Sequence, residues 1–239
     1  MMKEAIKKLL KSSRLGKFIY PFVQTIYRFY CIPRKRKLLQ KNGLVILKTL
    51  DNIFNDIGEE YYVDFGTLLG IIRENGFIKS DDDIDVTICN PDIDPHMLVR
   101  IFLEKGFKFI HSLEYHERPR IVSMRHLGTS IDFYFRELSD DRSEYWMYGI
   151  YFDPNLNYPG PEWNSCRRGS YPVDLKSERF IFRGIQISIP NNAEEHLVFE
   201  YGGNWRIPDS KFKGNPEKKL LVMPDYAKRV ISVDDFLKG

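Results

Sequence analysis

The chain has 239 residues, 43% of them hydrophobic and 14% aromatic, enough for one domain with a buried core and an appendage, which excludes a disordered polymer. Its net charge of +3 hides an asymmetry: residues 1–50 hold thirteen Lys/Arg against the single acid Glu4, a local +12, leaving −9 for the rest. Three scattered cysteines (Cys31, Cys89, Cys166) give neither zinc spacing nor a disulfide framework, and no run of about 18 apolar residues is present to span a bilayer.

In chain order, residues 2–30 carry Ile6, Leu9, Leu10, Phe18, Ile19, Phe22, Val23, Ile26 and Tyr27 at helical spacing with basic residues between, interrupted near Gly16 and Pro21. One or two amphipathic helices are predicted, suited either to a membrane interface or to packing on the domain or a second copy. The lack of a signal peptide and the cysteine usage predict a cytoplasmic location, with this arm peripheral at the inner face of the membrane. Pro33 and the run 34–37 close the arm at residue 35, and a helix follows over 36–57, stopped by Gly58. Tyr61–Phe65 reads as a buried strand, Thr67–Arg73 as a short helix and 84–88 as a strand. A helix over 96–105, strands at 107–110, 120–125 and 129–135, a hairpin across Arg183-Gly184 and a helix from Ala193 to Tyr201 complete the pattern. The stretch 140–177, rich in Tyr, Trp, Pro, Asn and Gly, reads as irregular, and 211–239 as a polar tail. The expectation is an α+β domain over 36–210 with a small mixed sheet and flanking helices.

The chemistry concentrates in Gly66-Thr67-Leu68-Leu69-Gly70 and Asp81-Asp82-Asp83-Ile84-Asp85-Val86. Along a strand, residues i and i+2 share a face, so Asp83 and Asp85 project together and Ile84, Val86 and Ile88 point the other way. Like charges held that close call for a cation, and all-oxygen ligands favour Mg²⁺ or Mn²⁺. A solvated acidic loop is the bland alternative, but these acids lead into an apolar alternating strand. An EF-hand loop fails, because Val86 stands where its Gly is needed. Gly66 would end a strand and Thr67 cap the following helix, whose free N–H groups suit a phosphate. Asp132, alone in the apolar run Ile131-Asp132-Phe133-Tyr134-Phe135, is the third candidate. Metal binding, acceptance of a proton from an incoming hydroxyl, or a salt bridge to an Arg would each account for it. Arg73 would reach phosphates or pair with an acid.

The block Asp64-Phe65-Gly66-Thr67-Leu68-Leu69-Gly70-Ile71-Ile72-Arg73, Gly76-Phe77-Ile78 and Asp81-Asp82-Asp83-Ile84-Asp85 closely resembles the LicD family, related to fukutin and fukutin-related protein. So do Ile131-Asp132-Phe133 and the segment running from Ile189-Pro190 through Glu194-Glu195-His196-Leu197 and Tyr201-Gly202-Gly203-Asn204-Trp205 to Pro208. Ser80 departs from the family's Trp, which would alter the pocket wall. The resemblance implies a nucleotidyltransferase (polymerase-β-like) fold. It also implies transfer of a phospho-alcohol, such as phosphocholine or a polyol phosphate, from a CDP-linked donor to a sugar hydroxyl of a cell-surface glycan or lipid-linked saccharide. Asp83, Asp85 and Asp132 would be the metal and catalytic carboxylates; Gly66, Thr67 and Arg73 would bind substrate. The alternative with the same carboxylates is transfer of NMP from an NTP. A nucleic-acid partner is not expected, since the domain is acidic and lacks a base-stacking motif.

Overall fold

The computed structural model describes residues 27–153, 156–209, 211–212 and 214–238. The expected amphipathic helices over 2–30 lie outside the described residues except for a π-helical turn, Tyr27–Cys31. That turn runs directly into helix α1 (Ile32–Ile57), so the break expected at Pro33 does not occur. Pro33 sits in the first turn, where a missing N–H costs nothing and a fixed φ favours the helix. Gly58, at φ 70°, ends α1 as expected.

Strand β1 (Tyr61–Val63) leads through helix α2 (Phe65–Glu74) to β2 (Asp83–Ile88), then to helix α3 (Pro95–Glu104). Strands β3 (Lys108–Tyr115), β4 (Arg118–His126) and β5 (Thr129–Phe135) follow as a meander, with β6 (Glu137–Leu138) after them. Next come β7 (Glu144–Tyr151), β8 (Trp163–Pro172), the hairpin β9 (Ser177–Phe182)–β10 (Ile185–Pro190) and helix α4 (Ala193–Tyr201). Strands β11 (Leu220–Val222) and β12 (Ala227–Val230) and the short helix α5 (Val233–Phe236) close the chain.

The architecture is mixed α/β, but the sheet is not small. Ten strands run in the order β1-β2-β5-β4-β3-β12-β8-β7-β6, with β11 beside β8. Among the described strands every pairing is antiparallel except β2 with β5. Two segments correct the expectation. Within the stretch read as irregular, Glu144–Tyr151 and Trp163–Pro172 pair as the antiparallel strands β7 and β8, and β12, from the expected tail, inserts between β3 and β8. Strands β7 and β8 lack a clean apolar alternation, because beside their few buried apolar residues they carry aromatic rings stacked under arginines. Arg168 lies 3.7 Å over Trp146, Arg136 3.9 Å over Tyr145 and Arg120 4.3 Å over Tyr148.

The main core lies between one face of β2 and β5 and helix α1. Ile84, Val86, Ile88, Ile131 and Phe133 meet Leu39, Ile46, Leu47, Leu50 and Phe54 there, and hairpin β9–β10 adds Phe182, Ile187 and Ile189. Each such side chain contributes roughly 1.5–3 kcal/mol by leaving water. That burial anchors the strands, so their other face can carry polar groups in fixed positions.

Candidate active site

On β2, Ile84, Val86 and Ile88 are fully buried in the core, so Asp83 and Asp85 stand on the opposite face. In the parallel ladder Asp85 is paired with Asp132 of β5, and Asp83 with Ser130. The chain thus carries the three expected acids on two adjacent strands, whose backbones run about 4.8 Å apart. Ahead of β2, Asp81 and Asp82 add two more acids. Single oxygens of Asp81, Asp82 and Asp83 all lie within 4.8 Å of one another. Lys35 on α1 donates to Asp82 Oδ2 at 2.8 Å.

The electrostatics are those of crowded, half-dry acids. Burial, then the charges of Asp83 and Asp132, hold Asp85 well above the usual carboxylate range. Burial and Asp83 push Asp81 up to about 7. Asp132 is pushed up to about 6, chiefly by burial, against the opposing hydrogen bond from Ser123. Burial also raises Asp83. Such a cluster disfavours full ionisation unless a cation compensates it.

The Gly-Thr turn differs in detail from expectation. Val63 ends β1, and Asp64, not Thr67, caps α2 by accepting from Phe65 N at 2.7 Å. Thr67, buried, instead accepts from Asp85 N through its hydroxyl at 2.9 Å, and Asp64 N donates to Asp85 O at 3.0 Å. These two bonds stitch the start of α2 to the acid-bearing strand. A Cβ on Gly66 would lie 2.5 Å from Asp81 Oδ2, so a side chain there displaces that carboxylate. Phe65 takes φ +43°, a left-handed conformation that costs a non-glycine residue about 1–2 kcal/mol, and its ring packs 4.8 Å from Tyr134. Tyr134 in turn donates to Asp85 Oδ1 at 3.3 Å.

Arg73 lies on the last turn of α2, seven residues past Gly66 and so about 10 Å further along the axis. Its guanidinium bonds Trp205 O at 3.2 Å and Glu74 at 2.8 Å. It therefore braces the 202–208 segment and pairs with Glu74, the second of the two options the sequence left open.

Two residues were not marked for the site. Asp64 is fully buried and His196 is 5% exposed; they pair at 2.7 Å. Thr87 donates to the other oxygen of Asp64 at 2.7 Å. Burial opposes both charges, yet the mutual attraction prevails and holds Asp64 below and His196 above their ordinary values. An Asp directly ahead of a helix start was the readable signal; its partner 132 residues on was not.

The family model described as LicD/FKTN/FKRP, nucleotidyltransferase domain, matches residues 58–192, more than half of the chain. That range holds Asp64, the Gly66 turn, the four acids Asp81, Asp82, Asp83 and Asp85, and Asp132. The chain is also similar to an uncharacterized protein of Rickettsia typhi, at 26% identity over 156 residues, covering 55% of this chain. It spans half the length of that curated relative.

Proposed function

Because the chain belongs to the LicD/FKTN/FKRP nucleotidyltransferase-domain family, a family of transferases, we propose that it is a metal-dependent phosphotransferase moving a phospho-alcohol from a CDP-linked donor to a sugar hydroxyl. On this reading the β1–β5 region, the Gly66 turn and α2 form the nucleotidyltransferase-type core, and the remaining strands extend it. The observation that carries the reading is the parallel register: Asp85 beside Asp132, with Asp83 two residues before.

Asp81, Asp83, Asp85 and Asp132 offer carboxylate oxygens alone, and crowding and burial penalise their charge, which supports a hard divalent cation, Mg²⁺ or Mn²⁺. Such an ion, when bound, would neutralise the diphosphate and the departing CMP. The ligands proposed are Asp83, Asp85 and Asp132, with Asp81 beside them. The first-turn N–H groups of α2 at Gly66 and Thr67, which have no intrahelical acceptor, would bind phosphate oxygens. Asp132, at the edge of the cluster, would take the proton of the acceptor hydroxyl as it attacks the phosphorus.

The acceptor proposed is a glycan or lipid-linked saccharide at an anionic membrane surface. The +12 charge over residues 1–50 supports this, as do Phe29 and Tyr30, 71% and 78% exposed at the root of the arm. No described helix is long and apolar enough to cross a membrane.

The test is turnover with Mg²⁺ on CDP-choline, CDP-glycerol and CDP-ribitol beside radiolabelled NTPs. Phospho-alcohol transfer is expected, reduced on the order of 10³-fold in the double variant Asp83→Asn/Asp85→Asn. NMP incorporation without phospho-alcohol transfer would overturn the reaction class, and full turnover by the double variant would remove the metal site.

A further inference from the structure

The polar face of the sheet continues past Asp132. Asp132 is paired with Ser123 on β4, and Ser123 with His111 on β3. Ser123 is 3% exposed, with Oγ 2.5 Å from Asp132 Oδ1 and 3.2 Å from His111 Nε2. Arg229 on β12 is paired with Leu113, which shares the face of His111.

A hydroxyl carries one proton and an ionised carboxylate only accepts. Ser123 therefore donates to Asp132, and His111 must donate to Ser123 from Nε2. Burial and the charge of Arg229 push His111 down to about 4, so the ring is neutral near pH 7, as this direction requires. A relay in the opposite sense, carrying the proton of Asp132 through Ser123 onto His111, would end on an imidazolium that the same surroundings oppose. The row is thus an anchor and not a proton exit.

We infer that Ser123 and His111 are positioning residues for Asp132: the chain from His111 Nε2–H through the Ser123 hydroxyl occupies Oδ1, fixes the carboxylate and leaves Oδ2 as its working oxygen. A 2.5 Å O–H···O⁻ bond is at the short, charge-assisted end of the range. Outer partners of this kind set ligand orientation, and their loss typically costs about 10–100-fold in metal affinity or activity. The inference rests on the reading of Asp132 as a metal ligand.

The experiment measures Mn²⁺ affinity of the full chain by EPR titration, with thermal melts alongside, for Ser123→Ala, Ser123→Thr, His111→Phe and Asp132→Asn. The inference expects Ser123→Ala to weaken Mn²⁺ about 10–100-fold. Ser123→Thr, which keeps the hydroxyl on a strand tolerant of β-branching, should bind near the wild-type level. His111→Phe, which keeps a ring but removes the donor, should fall between them. If Asp132→Asn weakens Mn²⁺ while Ser123→Ala and His111→Phe do not, the positioning role falls and the metal site stands. Equal loss in the Ala and Thr variants also overturns it, since the hydroxyl is then not the cause. If Asp132→Asn binds Mn²⁺ unchanged, the metal reading falls and takes the inference with it. Should Ser123→Ala fail to fold, the Thr and Phe variants still decide.

Discussion

Asp64 and His196 show how a single buried pair can hold a turn whose backbone is strained. Asp64 caps α2, accepts from Thr87 and faces His196, and Phe65 beside it sits at φ +43°. Removing one partner leaves a buried charge uncompensated, so His196→Gln is expected to lose about 3–5 kcal/mol of stability. The pH dependence has a definite sign. His196 is raised in the folded state, so its contribution is full below its unfolded value near 6.5 and fades as pH climbs through the raised value. Asp64 is lowered, so its contribution fades only as pH falls through that lowered value. Melting curves of wild type and His196→Gln should therefore lie furthest apart between these limits and converge on the alkaline side; a gap that widens with rising pH would contradict the ion pair. Asp83, Asp85 and Asp132 were legible one by one, since lone acids in apolar alternating strands are costly without a task. His196, Ser123 and His111 were not, because their partners are distant in sequence and nothing local marks them.

At the scale of elements, α1 is the support on which the acid strands rest. It crosses beneath β2 and β5, and it passes so close to the loop after α2 that a Cβ on Gly43 would lie 2.4 Å from the Phe77 ring. That ring is buried and set edge-on to Phe182 at 6.0 Å, so it has little room to yield. Gly43→Ala would gain up to about 1 kcal/mol of helix propensity, but overpacking costs about 1–3 kcal/mol. A net loss near 1 kcal/mol is expected, a fall of about 2–4 °C in Tm for a domain of this size. A Tm raised by Gly43→Ala would mean that the ring moves freely. Strands β2 and β5 were legible because a period-2 pattern declares its own faces. Pro33 misled because proline breaks a helix interior yet suits a first turn, and the sequence does not say which position it holds.

For the molecule as a whole, the decisive feature is that the last strand is not last in space. Strand β12 lies between β3 and β8, and Ala227 on it is fully buried. Phe236 of α5 packs 5.0 Å from Phe109. Lys218 bonds Glu200 at 2.6 Å and Tyr171 at 2.7 Å. A chain stopped after Asp209 would leave two open strand edges in the middle of the sheet, a template for association. It is expected to lose cooperative thermal unfolding by circular dichroism and to aggregate on size-exclusion chromatography; a monomeric, cooperatively melting product would show that 211–239 is the appendage its polarity suggests. By itself the sequence determined the acid-bearing strand β2, the strand β5 that carries Asp132, and the family, because these are short-range patterns tied to strand period and local motif. Only the tertiary structure decided the size of the sheet, the site of β12, the burial of His196 and the row behind Asp132. Pairing across a sheet is chosen by long-range complementarity, which leaves no periodic trace in either partner alone.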